Sequence, residues 1–83
     1  MNILFICNAG KNRSRTGAEL WKKAHPEDVV KHLGINAVSM DVLRWSNKII
    51  VFEDRLWKKV LEIAFDDIKV YLKLKLWGYS RHL

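Results

Sequence analysis

The chain begins with an unbroken apolar run, Ile3–Ile6, and a polar segment follows it almost at once. The run shows no alternation of apolar and polar residues, and it is shorter than a typical helix. Such a run is typical of a strand that is buried on both faces, as in a parallel sheet. Because helices must then cover both sides of the sheet, the run favours an α/β fold.

The rest of the sequence predicts alternating helices and strands. The first helix, over residues 14–24, would bring Thr16, Leu20 and Trp21 near one face. Further helical patterns cover residues 27–33, 40–45 and 54–65, and further strand patterns cover 35–38, 48–52 and 68–77. We therefore expect a single domain over residues 1–83: a small, mostly parallel four-stranded sheet with helices on both faces.

The segment Cys7–Ser14, CNAGKNRS, joins the first predicted strand to the first predicted helix, and it contains the only cysteine. Functional sites in α/β folds form at the carboxyl ends of the strands, where Cys7 lies. Backbone N–H groups in such a loop and at a helix N-terminus attract oxyanions. We expect a phosphate loop after strand 1, in which the phosphoryl group is bound by Asn8, Ala9, Gly10, Lys11, Asn12 and Arg13.

Three side chains of this segment have distinct predicted roles. The nearby dipoles would favour the thiolate of Cys7, which can attack phosphorus. The planar guanidinium of Arg13 can bind two phosphoryl oxygens, and the Ser14 hydroxyl can donate a hydrogen bond to the sulfur. Alternatively, a lone cysteine at the end of a buried strand is a small core residue. The nucleotide-binding P-loop does not fit, because Phe5 and Asn12 occupy positions where that motif requires Gly and Ser or Thr.

The pattern Cys-x5-Arg-Ser after a first strand resembles the low-molecular-weight protein tyrosine phosphatases. The segment CNAGKNRSRTGAELW is similar to a small bacterial-type branch of that family, and VLRWSNKIIVFEDRLWKKVL resembles a later segment. The resemblance covers residues 3–21 and 42–61 of a chain that is shorter and more diverged than is usual for the family. It implies that Cys7 is the nucleophile, Arg13 binds phosphate and Ser14 stabilises the thiolate.

The general acid of that family, an aspartate in a loop after the last strand, has no evident counterpart, because the matching region reads LKLKLWGY. Glu53 and Asp54 follow the strand predicted over residues 48–52, so they would lie at the same end of the sheet as Cys7 and are candidate acids. The alternative is that they are acidic residues favoured by a helix N-terminus. Without acid assistance, hydrolysis would slow by about 10²–10⁴-fold.

Composition limits the expected partners. A net charge of +6 suits an anionic partner, such as a phosphorylated protein, a small aryl phosphate or an acidic protein surface. We expect Lys11, Arg15 and Arg44 to line the rim of the site, with Trp45 either as an aromatic wall or as a core residue. No nucleic-acid motif, membrane-length apolar run or metal-ligand spacing is evident, so nucleic acid, membrane, metal and cofactor are not expected partners. The single cysteine and the absence of a signal-peptide pattern predict a cytoplasmic protein.

The sequence therefore predicts a cysteine-dependent phosphatase that hydrolyses phosphotyrosine-like phosphomonoesters through a phosphocysteine intermediate. The main alternative is a catalytically impaired module of the same fold that binds phosphate or phosphoproteins. Arsenate reduction would need an external thiol, because the chain has no second cysteine to resolve the intermediate. A nucleic-acid-binding role would have to show a steep salt dependence.

Overall fold

The computed structural model describes residues 1–8, 13–74 and 79–81, with the side chains of Arg13 and of residues 79–81 outside that description. Among the helices of these residues, none combines the length and apolar character that a membrane span requires. In chain order the elements are β1 (Asn2–Cys7), α1 (Arg13–Ala24), β2 (Val29–Gly34), a 3₁₀ turn (Ile35–Ala37), α2 (Met40–Trp45), β3 (Lys48–Val51), α3 (Asp54–Ala64), α4 (Ile68–Lys73) and β4 (Tyr79–Arg81).

The strands pair in the order β2-β1-β3-β4, and each pairing is parallel. Cys7 lies opposite Gly34 of β2, and Ile6 lies opposite Val51 of β3. Because the strands are parallel, their carboxyl ends share one edge of the sheet, which we call the carboxyl edge. The opposite edge, where β1 begins at Asn2, is the amino edge. The predicted α/β class with a parallel sheet is confirmed.

Helices cover both faces of this sheet. On one face, Ile3, Phe5 and Ile50 pack with Ala18 of α1. On the other face, alternate residues of β1 and β3 pack with α3 and α4, and this larger core comprises Leu4, Ile6, Ile35, Leu43, Ile49, Val51, Leu56, Val60, Ala64, Val70 and Leu74. Burial on both faces explains why β1 is apolar from Ile3 to Cys7. Complete burial of one such aliphatic side chain is worth about 1.5–3 kcal/mol.

Three of the predicted helices are confirmed nearly to the residue, as α1, α2 and α3. The predictions for residues 27–33 and 35–38 are wrong. Residues 29–34 form strand β2 instead of a helix, and Ile35–Ala37 form a 3₁₀ turn instead of a strand. The prediction for residues 27–33 fails because this segment pairs with the edge of β1. The pairing provides hydrogen-bond partners for the backbone groups of β2, and it suits the β-branched residues Val29 and Val30.

The strand predicted over residues 68–77 is also wrong where the structure describes it. Ile68–Lys73 form helix α4, and the Asp67 side chain accepts hydrogen bonds from the backbone N–H groups of Lys69 and Val70. Val70 and Leu74, which are four residues apart, are buried, whereas Ile68 and Leu72 are exposed. Val70 and Leu74 are one helical turn apart and face the core, which explains why only every second residue of the apparent two-residue alternation is buried. Asp67 is the N-cap of α4.

Candidate active site

The candidate site is formed where β1 ends against the first turn of α1. Cys7 is the last residue of β1, and its Sγ lies 3.1 Å from Oγ of Ser14, with either atom able to donate the hydrogen bond. Ser14 is fully buried, and Cys7 is 8% exposed. The serine hydroxyl can accept from a thiol, and it can turn to donate to a thiolate. The contact is therefore suited to holding the sulfur in either protonation state.

The alternation of β1 and the periodicity of α1 produce this contact. Ile3 and Phe5 point toward α1, and Cys7 continues their two-residue period to the same face. On α1, Ser14, Ala18 and Trp21 follow the 3–4 residue spacing of one helix face, and Ala18 and Trp21 pack in the same cluster. A serine at the start of this face is thereby brought to the cysteine at the end of the strand.

The other loop residues are described only in part. Asn8 is exposed and directly follows Cys7, and Arg13 begins α1. Arg15, in the first turn of α1, is exposed and pairs with Glu19 at 3.3 Å. The predicted phosphate-binding residues Ala9, Gly10, Lys11 and Asn12, and the side chain of Arg13, lie outside the described residues.

Glu53 and Asp54 lie beyond the carboxyl end of β3, at the same edge of the sheet as Cys7. The Glu53 carboxylate accepts a hydrogen bond from Nε of Arg55 at 2.5 Å. Glu53 occupies the N-cap position of α3, and Asp54 is the first residue of that helix. The positions of Glu53 and Asp54 therefore agree with both alternatives: an acid near the candidate site, and an acidic residue favoured by a helix N-terminus.

Arg44 and Trp45 lie at the amino edge, so the expectation that Arg44 lines the rim of the site is wrong, and of the two alternatives for Trp45 the structure agrees with the core residue, because it packs against the larger core. The Trp45 carbonyl accepts a hydrogen bond from Nδ2 of Asn2 at 2.8 Å, and Asn2 is five positions before Cys7 on β1. That separation corresponds to about 16 Å along a strand. Arg44 pairs with Asp67 at 3.0 Å, which stabilises the contact of α2 with the start of α4.

A cluster of potential metal ligands also lies near the amino edge. The donor atoms of His25, Glu27 and Asp28 are within 4.8 Å of one another. Both carboxylate oxygens of Asp28 already accept hydrogen bonds, one from the N-terminal amine of Met1 at 3.2 Å and one from Nε1 of Trp21 at 2.8 Å. The hydrogen bond from Trp21 holds the pKa of Asp28 below its ordinary value. The cluster is thus explained by contacts within the protein.

Phe52 is a neighbour of the site that the sequence analysis missed. It follows β3 directly, and its backbone N–H donates to the carbonyl of Ile6 at 3.4 Å, which continues the β1–β3 register. The signal is the pairing of two apolar runs, ILFIC and KIIVF, which brings Phe52 to the position beside Cys7 when the strands are parallel. It becomes readable only once the register of the two strands is known.

Comparison of the chain with protein-family models, curated protein sequences and solved structures found no match. The resemblance to the low-molecular-weight phosphatases therefore rests on the quoted motifs, and it stays a prediction.

Proposed function

We propose that the protein is a cysteine-dependent phosphatase that hydrolyses phosphotyrosine-like phosphomonoesters, with residues 7–14 as its phosphate loop after β1. The contact of Cys7 Sγ with Ser14 Oγ at 3.1 Å carries this proposal. A core cysteine needs no polar partner, whereas a thiolate nucleophile at the carboxyl edge needs a donor to hold its charge. The first turn of α1 adds N–H groups and a favourable dipole on the same side.

In the proposed reaction, the Cys7 thiolate attacks phosphorus, so that an S–P bond forms while the bond from phosphorus to the ester oxygen breaks. The departing oxygen takes a proton from a neighbouring acid or from water. Water then attacks the phosphocysteine and gives one proton to the base left by the first proton transfer, so that a P–O bond forms while the S–P bond breaks, inorganic phosphate leaves and the thiolate is restored. Ser14 stabilises the sulfur anion both before attack and on departure. Arg13 would hold the phosphoryl oxygens, as the family resemblance implies.

Glu53 and Asp54 are the candidate acids, because a carboxylic acid at the carboxyl edge can protonate a departing phenolate. Phosphorylated proteins and small aryl phosphates in the cytoplasm are the expected substrates. The net charge of +6 favours the approach of anionic groups, including acidic partner surfaces.

One observation favours a second candidate function, a phosphate- or phosphoprotein-binding module without useful turnover. The Glu53 carboxylate is engaged by the guanidinium of Arg55, which would have to release it before Glu53 could reach a leaving group. If Asp54 does not act as the general acid either, the phosphate loop would bind phosphoryl groups but release phenolates slowly.

Hydrolysis of p-nitrophenyl phosphate and of a phosphotyrosine peptide, measured over a pH series for wild type and Cys7→Ser, tests the proposal. We expect turnover that Cys7→Ser abolishes. Turnover of the nitrophenyl ester alone would mean that the nucleophile works without an acid. Vanadate binding without any turnover would favour the binding module, and the absence of both would refute both functions.

Among the side chains that the structure describes, two buried serines provide a matched pair of variants for the role of Ser14. Ser14 and Ser46 are 0% and 1% exposed, but the Ser46 hydroxyl donates to the carbonyl of Leu43, away from Cys7. A hydrogen bond to a charged group is worth about 1.5–3 kcal/mol. We therefore expect Ser14→Ala to slow turnover by at least about tenfold, while Ser46→Ala affects stability alone. Equal activity in the two variants would contradict the role assigned to Ser14.

A further inference from the structure

Exposed apolar residues are concentrated where α3 is followed by α4. Phe65 directly follows α3, and Ile68 and Leu72 belong to α4; these residues are 74%, 64% and 49% exposed. Val70 and Leu74 are buried in the larger core, so the side of α4 that carries Ile68 and Leu72 is turned away from the sheet. We call Phe65, Ile68 and Leu72 the apolar patch. Contiguous exposed apolar surface of this kind marks an interaction site, whereas single exposed apolar residues do not.

The apolar patch combines a projecting ring with a hollow beside it. A cavity of about 340 Å³ is lined by Leu61, Glu62, Phe65 and Tyr71. The Phe65 ring stands edge-on to the Tyr71 ring, with centroids 6.0 Å apart and an interplanar angle of 87°. A cavity of about 150 Å³ already admits a benzene ring, so this hollow has room for a phenyl ring from another molecule. A surface that carries both a projection and a hollow can pair with a second copy of itself about a two-fold axis.

Exposed charges of opposite sign flank the apolar patch. Glu62 lines the cavity on the α3 side. Tyr71 contacts Phe65, so its side of α4 faces α3, and the helical period places Lys69 on the opposite flank of α4. Within the described part of the chain, neither Glu62 nor Lys69 takes part in a salt bridge. A two-fold rotation exchanges the two flanks, so Glu62 of each copy would face Lys69 of the other.

We propose that the apolar patch is the interface of a homodimer, with a two-fold axis near Phe65 and with Glu62 of each copy beside Lys69 of the other. Flanks of opposite sign suit a second copy of this chain better than a partner of one charge sign, which one flank would repel. The patch lies on the α3–α4 face of the sheet, whereas Cys7 contacts Ser14 on the α1 face. Dimerisation therefore leaves the candidate active site uncovered.

The expected area of the interface predicts a weak dimer. An aromatic side chain can bury about 150–250 Å², so the three residues of the apolar patch expose roughly 300 Å² in each copy, and two facing copies would bury roughly 600 Å². A little over half of a non-obligate interface is apolar, so the whole contact would cover roughly 1,000 Å², near the lower limit for a specific interface. We therefore expect reversible association at about 10 µM to 1 mM.

Sedimentation equilibrium of the full chain over about 10 µM to 1 mM tests the proposal. Phe65→Ser removes the projecting ring. Leu20→Ser is the matched control, because Leu20 is 62% exposed but belongs to α1, which covers the other face of the sheet. Glu62→Lys and Lys69→Glu each place like charges opposite one another across the two-fold axis. Circular dichroism establishes that every variant is folded.

We expect the mass of the wild type to rise from 9.8 kDa toward twice this value and no further, because a two-fold interface closes on itself. Phe65→Ser should weaken the dimer by at least about tenfold, and Leu20→Ser should leave it unchanged. Glu62→Lys and Lys69→Glu should each weaken it by about threefold or more, and an equimolar mixture of the two should restore it, because opposite charges then face each other. Lys69→Glu lowers the net charge of +6 by two, so general repulsion between copies would predict the reverse, a stronger dimer.

A wild type that stays monomeric up to about 1 mM would overturn the proposal, also if it then bound anionic lipid vesicles through Phe65. An unchanged dimer in Phe65→Ser, an equal loss in Leu20→Ser, growth beyond the dimer, or a mixture that associates no more strongly than its components would overturn it as well.

Discussion

Gly17 of α1 is a position at which the packing between α1 and the sheet, beside the candidate site, can be perturbed by a single methyl group. A Cβ at this residue would lie 2.9 Å from Cδ1 and Cε1 of Phe5 and 3.0 Å from Cζ of Phe52. Carbon atoms at van der Waals contact are about 3.5–4.0 Å apart, so both rings would have to move. Gly17→Ala therefore adds one methyl group to a helix–sheet contact that has no room for it.

The expected magnitude follows from two opposing contributions. In a helix interior, alanine is favoured over glycine by about 0.5–1 kcal/mol. Overpacking of a well-packed core costs about 1–3 kcal/mol. We therefore expect Gly17→Ala to lower the free energy of unfolding by about 1 kcal/mol, or the melting temperature by about 4–8 °C for a domain of this size.

Urea denaturation followed by circular dichroism measures this change. Thr16→Ala is the matched control, because Thr16 is the exposed neighbour in the same helix and gains helix propensity without a new contact. A Gly17→Ala variant that is more stable than wild type, beside a control that behaves as expected, would refute the close approach of α1 to the sheet.

Three further perturbations test other parts of the structure. Lys73 donates to backbone carbonyls at the end of α2 at 2.6 and 2.8 Å, so Lys73→Met should cost about 2 kcal/mol in a urea titration, and an unchanged midpoint would contradict the contact. The hydrogen bonds from Arg44 hold the pKa of Asp67 below its ordinary value of 3.8. A lowered folded-state pKa contributes stability that is present above that ordinary value and is lost as the pH falls through the folded-state pKa. In melts over about pH 2–6, Asp67→Asn, which keeps a capping side chain, should lose this acid-side dependence, and parallel profiles would refute the pairing. If Asp54 or Glu53 is the acid, Asp54→Asn or Glu53→Gln should slow hydrolysis of phenyl phosphate by at least about 10²-fold and of p-nitrophenyl phosphate much less, and an equal loss on both esters would exclude acid catalysis.

The sequence predicted those elements whose local pattern and tertiary environment agree. The apolar run of β1, the KIIV run of β3 and the stripe of Leu56, Val60 and Ala64 on α3 are of this kind. The contact of Cys7 with Ser14 was also predictable, because strand, loop and helix signals all place it at the carboxyl end of the first strand.

The errors have physical causes in long-range contacts. Residues 29–34 form a strand because they pair with β1 through backbone hydrogen bonds. Buried and exposed residues do not alternate regularly along β2, so no two-residue hydrophobic pattern marks it as a strand. On α1, the residues that face the sheet include the small residues Ser14, Gly17 and Ala18, whereas the predicted face residue Leu20 is 62% exposed. A pattern of large hydrophobic residues does not reveal the buried face of a helix that packs closely against a sheet through small residues.

The position of Trp45 could not be predicted for the same reason. Composition left it as either an aromatic wall or a core residue, and only the course of α2 decides between the two. The hydrogen bond from Asn2 places Trp45 at the amino edge, where it packs against the larger core.

The central claim, that Cys7 is a nucleophile toward phosphorus, is tested most directly by trapping its covalent intermediate. Wild type and Cys7→Ser are mixed with p-nitrophenyl phosphate, denatured rapidly and digested, and the peptide that contains residue 7 is analysed by mass spectrometry. We predict one added phosphoryl group on Cys7 in the wild type and none in the variant. Hydrolysis by the wild type with no phosphoryl group on that peptide, or full turnover by Cys7→Ser, would contradict the claim.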